Sequence, residues 1–210
     1  MAVDADHFRM NTAMHAAFQR ELQRLSRAVA AVDRSDPVAT SGLQRRFRFF
    51  AGTLHTHHVG EDEYLWPVAL ERATPEEKAV LRSMAAEHDA LAAALDRARA
   101  GVAALSPDSD IPALRAHLDD LAKVLSGHCA HEERDAVPVV AKYASPEDFT
   151  KLMKHARSAE DADLVLPWVC DGAPAEVADA TWGMLPGFVR MMVKPMTTRK
   201  YNKFTAECGI

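Results

Sequence analysis

At 210 residues the chain is long enough for one large domain, or a domain with an appendage, whose apolar core needs neither disulfides nor structural metals. Apolar residues at 48% and charged residues at 26% exclude a disordered chain, and a net charge of -5 argues against binding to nucleic acid, so no such partner is expected. Few breakers (9 Gly, 11 Pro) favour helix, and 10 His stand out as about twice the number expected of an ordinary globular chain.

Cys129, Cys170 and Cys208 are widely separated and form no C-x-x-C pair, so neither a zinc knuckle nor a dithiol centre is expected. The first residues, MAVDADHFRM, carry acids where a signal peptide needs a basic start and an apolar run. No segment approaches the roughly 18 apolar residues of a membrane span. These features predict a cytoplasmic, reduced protein.

Breaks at Asp33–Gly42, Ala73–Pro75, Leu105–Pro112 and Ser145–Pro146 delimit four helical segments. Thr74-Pro75-Glu76-Glu77 and Ser145-Pro146-Glu147-Asp148 both read as an N-cap, a proline in the first turn and acids against the helix dipole. Each segment carries a stripe at 3 and 4 spacing. The first is His15, Phe18, Leu22, Leu25, Val29 and Val32; the second is Phe47, Phe50, Leu54, His57, Glu61, Tyr64 and Val68. The third is Leu81, Met84, His88, Leu91, Leu95, Ala98, Val102 and Leu105; the fourth is Leu114, Leu118, Leu121, Leu125, His128, Glu132 and Val139. The expected fold is all-α, an up-down-up-down four-helix bundle over residues 1–144.

One histidine interrupts each apolar stripe, and the second and fourth stripes add a glutamate one turn later. A lone histidine on such a face is ordinarily a satisfied core residue. Four of them, with two carboxylates whose unpartnered burial would cost several kcal/mol, point instead to a shared metal centre. The chain also repeats itself. His57 and His128 are each followed by Glu at +4, an acid at +5 and Pro at +10, while His15 precedes His57 by 42 residues and His88 precedes His128 by 40. Positions i and i+4 share a helix face about 6 Å apart along the axis, so both side chains reach one site. Mixed imidazole and carboxylate donors suit iron, and also manganese or zinc.

The set His15, His57/Glu61, His88 and His128/Glu132, with Leu65-Trp66-Pro67 and Val137-Pro138 after the two acidic clusters, resembles the hemerythrin-like HHE cation-binding family over about residues 7–142. The resemblance implies a four-helix bundle around a non-haem di-iron centre, its two iron ions bridged by both glutamates and an oxo or hydroxo group, with no organic cofactor. The family roles it implies are dioxygen binding, oxygen or iron sensing, and peroxide or nitric oxide chemistry, including a part in oxidative stress.

Two departures stand out. Oxygen-carrying hemerythrins have a further histidine four residues after the third-helix one, where this chain has Ala92. Their last carboxylate falls at +5, here Glu133 rather than Glu132. The gap at Ala92 makes room for solvent, an oxidant or another protein ligand. Tyr64 on the core stripe is the candidate ligand, against a competing reading as a packed, hydrogen-bonded core aromatic. His55, His58, His131 and His155 lie off the stripes. A register through His58/Asp62 and His131/Asp135 would turn the apolar residues outward, so these histidines are read as solvated or as supporting the ligands.

Residues 145–210 read as a helical extension: a fifth helix from Pro146 to about Trp168, a sixth from Pro174 to Met192, and a basic tail. From Gly183 on, Arg190, Lys194, Arg199, Lys200 and Lys203 face Glu207 alone, an excess of four positive charges. This stretch is read as packing on the bundle, with binding of a partner protein or an anionic surface as the competing reading.

A ferritin-like centre needs Glu-x-x-His on two helices, and no histidine here has a glutamate three residues before it. His131-Glu132 lacks the second histidine of a zinc protease. With no nucleophile motif and no phosphate loop, any activity belongs to the metal centre. The expected function is a di-iron protein handling O2, H2O2 or NO, for instance as a peroxide-disproportionating oxidoreductase, against an oxygen- or iron-binding sensor or storage module.

Overall fold

The computed structural model describes residues 5–209, with side chains from residue 8 onward. Among these there is no strand. Four long helices form the bundle: α1 (Ala5–Ala31), α2 (Pro37–Tyr64), α4 (Pro75–Ala103) and α5 (Ile111–His131), with the short α3 (Trp66–Arg72) continuing α2. A π-helical turn (Glu132–Ala136) and α6 (Val137–Tyr143) continue α5. The remaining helices are α7 (Pro146–Arg157), α8 (Ala162–Cys170), α9 (Ala175–Gly183) and α10 (Gly187–Cys208). The expected all-α bundle is present, with further C-terminal helices beyond it.

The starts follow the local chemistry. Thr74 and Ser145 each accept from the backbone N–H three residues on, and Glu77 and Asp148 bond back to the cap. The first break is shorter than its sequence suggests, because Asp36 accepts from the Val38 N–H and Pro37 opens α2, drawing Pro37–Gly42 into the helix. The proline of each repeat interrupts its helix. Pro67 cannot donate to the preceding turn, and α2 gives way to α3 at Leu65. Before Pro138 the ladder widens into the π turn, where the Val137 N–H reaches back to Glu132.

The two C-terminal helices expected from sequence are four. The single helix expected over residues 146–168 divides at Ser158–Asp161, and the one expected over 174–192 ends at Gly183. The stretch read as a basic tail is α10, which buries Thr197, Tyr201, Phe204 and Cys208. The indole of Trp168 on α8 packs against Phe18 and Phe49 at centroid distances of 5.2 and 5.7 Å, and Phe204 meets Phe49 at 5.3 Å. Gly42 is the point of closest approach between α2 and α10: a Cβ there would lie 2.6 Å from the Cys208 carbonyl oxygen. Gly60 plays the same part against α7, where a Cβ would meet Leu152 at 2.6 Å.

An ion pair sits inside this interface. The fully buried Arg46 guanidinium grips Glu21 through Nε (2.6 Å) and Nη2 (2.9 Å) and donates to Tyr201 Oη (2.8 Å) and Thr205 Oγ1 (2.9 Å). Trp168 Nε1 donates to Glu21 at 3.1 Å. Residues from α1, α2, α8 and α10 thus share one polar knot in an apolar surround.

Two apolar clusters divide the bundle lengthwise. The larger includes Phe18, Leu54, Leu91 and Leu125 and runs to Cys208; the smaller includes Leu65, Trp66, Met84, Ala136 and Val140. Between them, on every long helix, lies a polar layer.

Candidate metal centre

The layer is made by the stripe histidines and glutamates. His15, Glu61, His88, His128 and Glu132 are buried, and His57 is 12% exposed. On α4 the buried Met84 and Leu91 bracket His88, while on α1 and α5 Phe18 and Leu125 stand one turn from His15 and His128, so the helices that bury those residues must bury the histidine too.

Two sets of four ligand atoms form there. One is His58, Glu61, His88 and His128; the other is His15, His57, Glu61 and Glu132; within each set the atoms lie within 4.8 Å of one another. Glu61 belongs to both. Its carboxylate stands 3.3 Å from His57 Nε2 and 3.6 Å from His88 Nε2. Glu132 Oε2 lies 3.2 Å from His15 Nε2 and 3.5 Å from His128 Nε2.

The donor atoms are left open. His58 Nε2, Glu61 Oε2, His88 Nε2, His128 Nε2 and Glu132 Oε2 are buried and have no hydrogen-bond partner. Orphaned buried polar atoms are costly, and five in one layer are a cage for a cation. The donor set therefore fits metal ions.

The far sides of the rings are satisfied by carboxylates. Glu133 meets His15 Nδ1 at 2.7 Å, Asp62 meets His88 Nδ1 at 3.0 Å and Glu87 meets His128 Nδ1 at 3.0 Å. Glu87 also binds His131 Nδ1 at 2.6 Å, while the Asn11 amide donates to Glu132 at 2.7 Å. At His88 and His128 the carboxylate at Nδ1 fixes the tautomer with Nε2 unprotonated and aims that lone pair inward, and at His15 the same contact orients the ring.

Electrostatics agree. Burial, reinforced by the charge of His15, takes His57 down to about 3. Burial and its histidine neighbours hold His58 well below the usual value, and burial lowers His128. These rings are neutral, as metal ligation requires. Burial and the nearby Glu132 push the Glu61 carboxyl well above the carboxylate range. Burial opposes ionisation of Glu132 as well, but the close approach and charge of His15 outweigh it and hold this group low. At His15, burial is overcome by its contacts with Cys129, Glu132 and Glu133, and the imidazole sits well above its usual value. Without metal, protons on Glu61 and His15 offset the buried negative charge that a cation would otherwise balance.

This sets a sign for pH. In metal-free protein, His57 and His58 stay neutral when folded and His128 takes up a proton less readily than usual, but all three take up protons below about pH 6.5 once unfolded. The unfolded state then binds more protons, so stability should fall between pH 7 and pH 5, by up to about 1.4 kcal/mol per pH unit for each group. Glu61 opposes this, since only its folded form holds the proton in that window; it is one group against three. His15, with a raised folded value, adds stability that is fully present below pH 6.5 and is lost at higher pH. Urea denaturation of chelator-treated protein at the two pH values measures the slope, and a flat or rising stability towards pH 5 would contradict these environments.

The family model described as hemerythrin HHE cation binding domain matches residues 8–140. The chain belongs to the hemerythrin HHE cation-binding family. Neither the curated proteins nor the solved structures contain a match. For a member of this family, the two His/Glu clusters mark a metal-binding module of a kind usually filled by iron.

The structure brings His15, His57, Glu61, His88, His128 and Glu132 into one layer. Tyr64 is half-buried, its ring 5.4 Å from that of His155 on α7. Ala92 is exposed. His58, placed by its sequence off the apolar stripe, is buried, stacks on His88 at 4.3 Å and completes one donor set. A signal for it was present. His58 and Glu61 are at i, i+3, as good a same-face spacing as the i, i+4 of His57 and Glu61, so one carboxylate can serve a histidine on either flank. Of the supporting acids, Asp62 and Glu133 showed only as the acid at +5 of the repeat and Glu87 left no trace, because their partners lie on other helices.

Proposed function

We propose that this chain holds two iron ions and handles small oxidants at them. His58, Glu61, His88 and His128 would hold one ion, and His15, His57, Glu61 and Glu132 the other. Glu61 is common to both sets, and Glu132 lies within reach of histidines from both. The observation that carries this reading is the pair of buried four-donor sets sharing one carboxylate, with five donor atoms unpartnered.

When bound, iron supplies Lewis acidity and one-electron chemistry. The chain's own residues decide what that chemistry meets. Each set offers four side-chain donors, fewer than the six positions iron ordinarily fills, and an open position distinguishes a reactive site from a structural one. Apolar clusters above and below the layer exclude bulk water and limit access to small molecules. Glu133, Asp62 and Glu87 keep the ligating rings in the required tautomer. Dioxygen, hydrogen peroxide and nitric oxide are substrates of the right size, and we assign peroxide disproportionation as the reaction to test.

Metal analysis of protein purified without added metal should return about two iron per chain, and the diferric form should consume hydrogen peroxide faster than a free-iron control. Recovery of zinc alone, or of a single metal, would overturn the dinuclear reading. Two iron per chain with peroxide untouched would overturn the turnover reading and leave a binding module.

A further inference from the structure

Helix α10 carries two apolar faces. Thr197, Tyr201, Phe204 and Cys208 are buried against the bundle. Phe188, Met191, Met192 and Met196 recur at 3, 1 and 4 spacing on the opposite side, 70%, 74%, 67% and 64% exposed, and the adjoining Met184 is 48% exposed. At about 100° per residue the two sets point roughly half a turn apart, so the second cannot be satisfied by the packing that buries the first. These five, with Val38, are the exposed large apolar side chains among the described residues. A contiguous group of this kind marks an interaction surface.

Charge narrows the occupant. From Gly187 to Ala206 the helix holds Arg190, Lys194, Arg199, Lys200 and Lys203 and no acid, in a chain whose net charge is -5. Lys200 is paired with Asp163, Lys203 with Glu207, and Lys194 lies over the Trp182 ring. Among the described residues, Arg190 and Arg199 have no ion pair. Arg199 and Lys203 extend the line of the stripe, whereas Arg190 and Lys194 lie on the side turned towards α9, where they line a cleft with Trp182.

We propose that this face of α10 docks the protein on an anionic lipid surface, with Phe188 and the methionines entering the headgroup boundary and Arg199 and Lys203 meeting lipid phosphates. A second copy of the chain fits less well, since stripe-to-stripe pairing would set these cations against themselves. An acidic protein would be expected to use a groove, whereas of the four stripe residues only Met191 lines the neighbouring cleft between α9 and α10. Protruding apolar side chains with snorkelling cations suit a planar, fluid surface.

The test is co-sedimentation of the full chain with vesicles of phosphatidylcholine alone or enriched in phosphatidylglycerol. Binding is expected only to the anionic vesicles and should weaken as salt is raised. Phe188→Ser with Met192→Ser, and separately Arg199→Glu with Lys203→Glu, should each lower the partition coefficient about tenfold or more. Melting temperature and iron content should stay at parental values, so this result is read independently of the metal centre. Failure to bind, equal binding to neutral vesicles, or parental binding by both variants would overturn the proposal. So would dimerisation, or capture of an acidic protein, that Phe188→Ser with Met192→Ser abolishes while vesicles are ignored.

Discussion

Replacing Glu61 by glutamine is expected to act in opposite directions with and without metal. Glu61 belongs to both donor sets, so its loss should drop iron from about two per chain to less than one, whereas loss of His15 should spare the other set. Metal that binds only the folded chain stabilises it by about 4 kcal/mol when its free concentration is a thousandfold above Kd, and the variant should forfeit much of that increment. In metal-free protein the sign reverses. There Glu61 is a buried carboxyl whose ionisation is opposed first by burial and then by Glu132. A neutral amide of the same shape removes that penalty and should raise stability by about 1 kcal/mol near neutral pH. Metal content by elemental analysis and urea denaturation with and without iron give the four values. Equal destabilisation in both states would mean that Glu61 is a packing residue rather than a shared ligand.

Arg46→Met should be among the most damaging substitutions outside the metal layer. It strands Glu21, 1% exposed, with the Trp168 N–H and the edge of Arg24 as remaining partners, and it leaves Tyr201 without a donor. Removing one member of a buried pair typically costs about 3–5 kcal/mol, because the other charge stays behind without compensation. Glu21→Leu should cost a similar amount by stranding the guanidinium. Combining the two should restore most of the loss, since an apolar pair of similar volume avoids both desolvation penalties. Because Thr205 and Tyr201 bind the same arginine, the single variants should also free α10, read as faster amide exchange over residues 197–208. Single variants costing under about 1 kcal/mol would show that the knot does not hold the C-terminal helices.

The bundle was legible because its information is local. Leu81, Met84, Leu91, Leu95 and Val102 announce one buried face through spacing alone, and the four stripes place His15, His57, His88 and His128 at a common depth. Capping at Thr74 and Ser145 was equally plain, since cap and partner lie three residues apart.

What required the folded chain is what depends on how helices cross. Periodicity ranks a residue by its angle from the centre of a stripe, and His58 sits at the stripe's edge; only the approach of α4 and α5 turns that edge into interior. No spacing reveals the partners of Glu87 and Asp62, since neighbouring helices bring His128 and His88 to them. Nothing in the sequence marks Arg46 as buried, yet α8 and α10 close over it. The C-terminal region hid its detail for a different reason. Its apolar residues fall on two faces of one helix, and no single-face pattern reveals which is buried; Phe204 meets Phe49 and Gly42 lets Cys208 approach, so that face is taken and the methionine stripe is left outside. Burial along a helix is dictated by the sequence, but the choice of partner is made by three-dimensional packing, where side chains far apart in the chain compete for the same space.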